Sequence, residues 1–205
     1  MFAKVASLFG VGTVDDVPEV SAPRGDFAER VLVLDRDPYL AVADAGLRLI
    51  SVFDDLKYDR ADMDVLSGPM RRRVRDKLAL LGFVQASGHV FENRAEDVRM
   101  ILPKFRALGA SPFDAMNDTK RREQDYFVLT PTQTACQMID AYSVDEAVER
   151  IKALIVKHPV NLLRLSDYLE RNERHQAFQG AIGHLKYVQR EAVAAEPLRS
   201  RRALR

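Results

Sequence analysis

At 205 residues, 47% hydrophobic and 30% charged, the chain has the make-up of an ordinary globular protein and length for one core or two small ones. Its 31 basic and 30 acidic residues leave a net charge of +1, so the molecule as a whole has no strong pull on nucleic acid or anionic lipid. A single cysteine, Cys136, excludes an internal disulfide and suits a reducing compartment, and no apolar run approaches the roughly 18 residues of a bilayer span, which makes the cytoplasm the expected location.

In chain order, Phe2, Val5, Leu8 and Phe9 could form an amphipathic turn or two, but Asp15 and Asp16 follow too soon for a secretion signal. Residues 13–25 carry Pro18, Pro23, Asp15, Asp16 and Glu19 and read as a linker, so residues 1–26 are a tip ahead of the body. Val31 to Leu34 is an apolar run ending in Asp35-Arg36-Asp37. A strand entering Asp-x-Asp resembles the nucleophile loop of haloacid-dehalogenase-type phosphotransferases and the opening strand of response-regulator receiver domains. Either would need alternating strands and helices downstream, and the pattern that follows is helical. Asp37 is therefore read as an N-cap and Pro38 as the first helical residue. Leu40, Ala43, Leu47, Ile50, Phe53 and Leu56 would then line one face of a supporting helix of about five turns. Asp59, Asp62 and Asp64 flank a shorter segment ending at Leu66.

Residues 67–92 form the most motif-like passage. Ser67 suits an N-cap and Pro69 the first turn; Met70, Val74, Leu78 and Leu81 line one face, and Gly82 supplies the left-handed C-terminal residue. Two short β-prone runs, 83–86 and 89–92, are separated by Ser87-Gly88, which favours a hairpin. A basic helix delivering into such a ribbon resembles the recognition helix and wing of a winged helix-turn-helix domain. Residues 71–77 hold five basic and one acidic side chain, a local charge of +4. The resemblance implies that Arg71, Arg72, Arg75 and Lys77, with Ser87 and His89 on the hairpin, are the contact residues for nucleic acid or a partner.

Beyond the hairpin, Asn93-Arg94-Ala95-Glu96 has the spacing of a capping box that would open a helix through Val98, Ile101, Leu102, Phe105 and Leu108, kinked at Pro103 and stopped by Gly109. Ser111-Pro112 would start a short helix carrying Lys120, Arg121 and Arg122 near its end. Tyr126 to Leu129 is β-prone. Thr130-Pro131-Thr132-Gln133 and Ser143-Val144-Asp145-Glu146 both match the capping box. The second opens a periodic helix through Ile151 and Leu154 that His158-Pro159 closes; Pro159 begins another, and a last helix spans roughly 173–195 before a basic tail.

The search for chemistry is negative. The histidines His89, His158, His175 and His184 lack helical pairing and neighbouring cysteines, so no metal or cofactor is expected, and Cys136 reads as a small buried thiol. No catalytic residues are assigned and an enzyme is not expected. The chain reads as mainly α, an α+β protein with a small β-hairpin: a winged-helix-like helical domain over 27–110, a C-terminal helical module over 111–196 and a basic tail over 197–205. The expected function is a binding or regulatory one, with a protein partner or self-association through the C-terminal helices. DNA binding through helix 68–81 and hairpin 83–92 is the alternative.

Overall fold

The computed structural model describes residues 25–53, 68–102, 122–170 and 175–195. The N-terminal turns and linker, the cap at Ser67, the acidic segment 59–66, the kink at Pro103, the helix start at Ser111 and the basic tail lie outside the described residues.

Helix outweighs strand, but the β-structure is a six-stranded mixed sheet rather than a lone hairpin. After α1 (Gly25–Leu32) and a 3₁₀ turn (Val33–Arg36) come β1 (Leu40–Asp44) and β2 (Leu49–Val52), then α2 (Gly68–Leu80) and β3 (Val84–Gln85), β4 (Val90–Asn93) and β5 (Val98–Ile101). β6 (Tyr126–Leu129) precedes α3 (Pro131–Ala141), α4 (Val144–Lys157), α5 (Leu162–Glu170), α6 (Gln176–Gln179) and α7 (Ile182–Ala195). The strand order is β1-β2-β6-β5-β4-β3. β6 runs parallel to both its neighbours, and the outer pairs are antiparallel. It lies past residue 110 in sequence, yet it joins strands from the first half of the chain into one sheet.

Both faces of the sheet are covered. On one, Phe27 and Val31 of α1 and Met70, Val74 and Leu78 of α2 bury against Ile50, Val52, Met100 and Val128. On the other, Leu49, Ile101, Phe127 and Leu129 form a small cluster. α3 meets β2 and β6, and α4 meets β1. Helices α3 to α7 add their own core, centred on Met138, Ile151, Leu165, Phe178 and Leu185.

This sandwiching explains two corrections. Residues 40–53, expected as a helix, form the β1–β2 hairpin. Strands covered on both faces lose the alternation that marks them, and Leu49, Ile50 and Val52 are all buried. The turn between them is local: Asp44 Oδ1 accepts from Leu47 N–H at 3.0 Å, and Arg48 takes a left-handed φ of 55°. The expected helix at Asn93 is likewise a tight turn into β5. Asn93 Oδ1 accepts from Ala95 and Glu96 N–H at 3.1 and 3.3 Å, the same bonds an N-cap makes, but Asp97 then adopts a φ of 49° and the chain reverses.

Elsewhere the elements fall close to their expected places. Gly82 has a φ of 83° after α2. Thr130 and Gln133 make both bonds of the capping box, with Thr130 N–H donating to Oε1 at 3.0 Å and Gln133 N–H to Oγ1 at 3.3 Å. Ser143 caps α4 by position, without a side-chain bond. α5 starts three residues after Pro159, where Asn161 Oδ1 accepts from Arg164 N–H at 3.1 Å. The last expected helix is broken between α6 and α7 by a turn in which Ala181 N–H donates to Phe178 O. Among the described residues no helix is long and apolar enough to cross a membrane.

Candidate docking groove beside α2

The apolar stripe of α2 faces the sheet, which turns Arg73 and Lys77, four residues apart, toward the 3₁₀ turn. There they meet Asp37. This residue is not the helix cap its Asp-Pro context implied, because the chain after it makes a single turn, closed by Leu40 N–H donating to Asp37 O at 3.2 Å, and enters β1. Its Oδ1 accepts from Tyr39 N–H at 2.9 Å. Arg73 Nη2 donates to Oδ1 and Oδ2 at 3.1 and 2.9 Å, its Nε lies 3.3 Å from Oδ1, and Lys77 Nζ is 3.0 Å from Oδ2. The Arg73 guanidinium also stacks 4.4 Å from the Tyr39 ring centroid. Burial of the Asp37 carboxyl opposes its ionisation, but the bonds from Tyr39, Arg73 and Lys77 outweigh it and hold the group below its ordinary value.

Above this latch lies a cavity of about 320 Å³, bounded by Val33, Arg36, Asp37, Arg73, Lys77 and Leu80. Its rim is aliphatic and open: Leu80 is 80% exposed and Val33 51%, with Leu32 also 51% exposed beside it. Three cations against one carboxylate leave the groove at +2. A second cavity of about 440 Å³ lies along the hairpin, lined by Gly82, Val84, Gln85, Glu92, Asn93 and Arg94 among others.

The residues expected to make contacts separate into groups. Arg72 and Arg75 are exposed on α2, with Arg75 paired to the adjacent Asp76 at 3.2 Å, and Arg71 is half-buried. Ser87 is exposed at the hairpin tip; His89 is half-buried and its carbonyl accepts from Leu102 N–H. Lys77 alone of this set joins the groove, together with Arg73 and Asp37, which the sequence reading had not assigned to it. The spacing of Arg73 and Lys77 was visible, but nothing local joins them to Asp37, 36 positions before Arg73.

The remaining polar clusters act as struts. Asp35 turns away from Asp37 and pairs with Lys157 of α4, so the Asp-x-Asp carboxylates do not converge. Asp44 is wholly buried and accepts from Tyr142 Oη and Arg150 Nη1 at 3.1 and 3.0 Å. Asp125 receives Arg99 in a two-pronged pair at 2.9 and 2.7 Å, tying β5 to the residue before β6. Asp140 joins α3, α5 and the start of α6 through Tyr168 Oη at 2.7 Å and His175 Nε2 at 3.0 Å. His158 is buried and stacks on Phe53 with ring centroids 5.6 Å apart. Cys136 is buried in α3. Among the described residues no group of three or more His, Cys, Asp or Glu side chains could hold a metal ion. Comparison with known proteins finds no matching family model, no matching curated protein and no matching solved structure.

Proposed function

We propose that this protein is a non-enzymatic interaction module on a winged-helix-like scaffold, and that the groove between the 3₁₀ turn and α2 receives a protein segment carrying aliphatic and acidic side chains. The observation that carries the reading is the commitment of Arg73 and Lys77 to Asp37 beside the exposed Leu80 and Val33. Two of the five cations of residues 71–77 are thereby directed into an aliphatic-rimmed groove rather than held out toward phosphates. Large exposed aliphatics around a shallow cavity fit a protein contact. Val156 and Leu163, exposed by 58% and 51%, keep self-association through α4 and α5 within the same reading. The lone Cys136 supports a reducing compartment, the cytoplasm.

DNA binding is the second reading, favoured by the exposure of Arg72, Arg75 and the hairpin tip. Titration against duplex DNA at two salt concentrations separates the two. The module reading expects negligible binding by wild type and by an Arg72→Ala, Arg75→Ala variant alike. Tight binding that falls steeply with salt, and whose salt slope drops by about two in the variant, would overturn it in favour of DNA.

A further inference from the structure

Deepening that reading and resting on it, we propose that the segment the groove receives is α5 of a second copy of this chain, lying antiparallel to α2. Arg73, Lys77 and Leu80 recur along α2 at spacings of four and three residues, and together they bound the cavity. Leu163, Asp167 and Glu170 recur along α5 at the same two spacings, and all three are exposed. Each line covers seven residues of helix rise, about 10.5 Å. Set antiparallel, Leu163 meets Leu80, Asp167 meets Lys77 and Glu170 meets Arg73. A parallel arrangement would set Leu163 on Arg73 and Glu170 on Leu80, pairing unlike groups at both ends.

Charge agrees with spacing: Asp167 and Glu170 give the α5 face −2 against the +2 of the groove. Arg73 and Lys77 remain 38% exposed while bound to Asp37, so each keeps donors for a second carboxylate. Neither Asp167 nor Glu170 makes an ion pair among the described residues. Val156 and Tyr187 are more exposed than Leu163 but lack this complement. Val156 shares its side of α4 with Lys152 and Glu149, which pair with each other, and Arg190 stacks on the Tyr187 ring at 5.3 Å. Within one copy α2 covers one face of the sheet, whereas α5 packs on α3 behind the other. The contact therefore joins unlike patches head to tail, and each joined pair leaves one groove and one α5 face free. Three side chains from each copy make a small interface, so association is weak and grows with concentration.

Sedimentation of the full-length protein from micromolar to millimolar concentration tests this with two variants at exposed positions: Leu80→Asp in the groove, and Asp167→Lys with Glu170→Lys on α5. Wild type is expected to gain mass with concentration, and each variant alone to stay monomeric, since each lacks one of the two patches. Mixed together, the variants should form a pair and stop there, because Leu80→Asp retains its α5 face and the charge-reversed chain retains its groove. Association kept by either variant alone places the contact elsewhere and overturns the proposal, as does a mixture that stays monomeric or grows beyond a pair. A wild type that is monomeric throughout also overturns it, and calorimetric titration with a synthetic peptide, Leu-Asp-Glu-Leu-Asp-Glu, then decides the docking reading separately. Peptide binding to wild type that Leu80→Asp abolishes leaves the docking reading standing without the self-contact. No binding, or binding that the variant keeps, overturns both.

Discussion

Arg73 holds Asp37 through both carboxylate oxygens, at 3.1 and 2.9 Å from one guanidinium nitrogen, and so fastens α2 to the chain between the 3₁₀ turn and β1. The carboxylate is nearly sealed, with 4% of its side chain exposed, while Arg73 and Lys77 each remain 38% exposed. Asp37→Asn keeps the shape but removes the charge, and should lower unfolding stability by about 1–3 kcal/mol. Lys77→Ala should cost less, at most about 1 kcal/mol, since Arg73 still satisfies the carboxylate. Urea denaturation of the three proteins measures both changes, and an Asp37→Asn midpoint equal to wild type would remove the latch from the account.

The same carboxylate sets an acid dependence. Its ordinary value is 3.8 and the folded protein lowers it, so the ionised form is favoured by folding. The stabilisation is therefore complete above the ordinary carboxylate range and is lost as pH falls below about 4 and through the lowered value. Wild type should lose stability in that window more steeply than Asp37→Asn, in urea melts at matched pH. Parallel curves for the two proteins would contradict this.

Asn93 and Gly82 make a second joint. Asn93 Nδ2 donates to Leu81 O at 2.9 Å, and a Cβ on Gly82 would lie 3.3 Å from that same nitrogen. Gly82→Ala meets this crowding in a backbone with a φ of 83°, and should destabilise by about 1–2 kcal/mol. Asn93→Ala leaves the Leu81 carbonyl and the turn N–H groups without their partner and should cost about 1–3 kcal/mol. Thermal melts test both; a Gly82→Ala protein as stable as wild type would show that the joint tolerates rearrangement.

Cys136 is 5% exposed within the helical core. Its reaction with a thiol reagent should be slow in the native protein and become fast on adding denaturant, because exposure requires opening of the fold. Rapid stoichiometric labelling under native conditions would instead reveal an accessible thiol.

Much of the helical framework was legible because its signals are local. Thr130 and Gln133 lie one turn apart, Gly82 follows the last apolar residue of its helix, and His158-Pro159 halts α4, so a few neighbouring residues suffice to place each boundary. The β3–β4 ribbon was legible for the same reason, its strands being joined by a short loop through Ser87 and Gly88. The same chemistry misled wherever it serves two structures. Asn93 accepts from the amides two and three residues ahead in a helix cap and in a tight turn alike, and the direction of the chain afterwards is decided by the sheet that β5 joins.

Residues 40–53 show the larger effect. Leu40, Leu47 and Ile50 fit a helical face, and only burial between α1 and α2 on one side and the C-terminal helices on the other favours the extended form for that stretch. The groove depended on tertiary structure most of all. Composition supplied the cations of α2 and the carboxylates of residues 35–37. The rotation of α2 against the sheet brings Arg73 and Lys77 to Asp37, and the packing of α4 beside the 3₁₀ turn brings Lys157 to Asp35. Pairing over such separations is governed by how packed faces align, a quantity that no local spacing encodes.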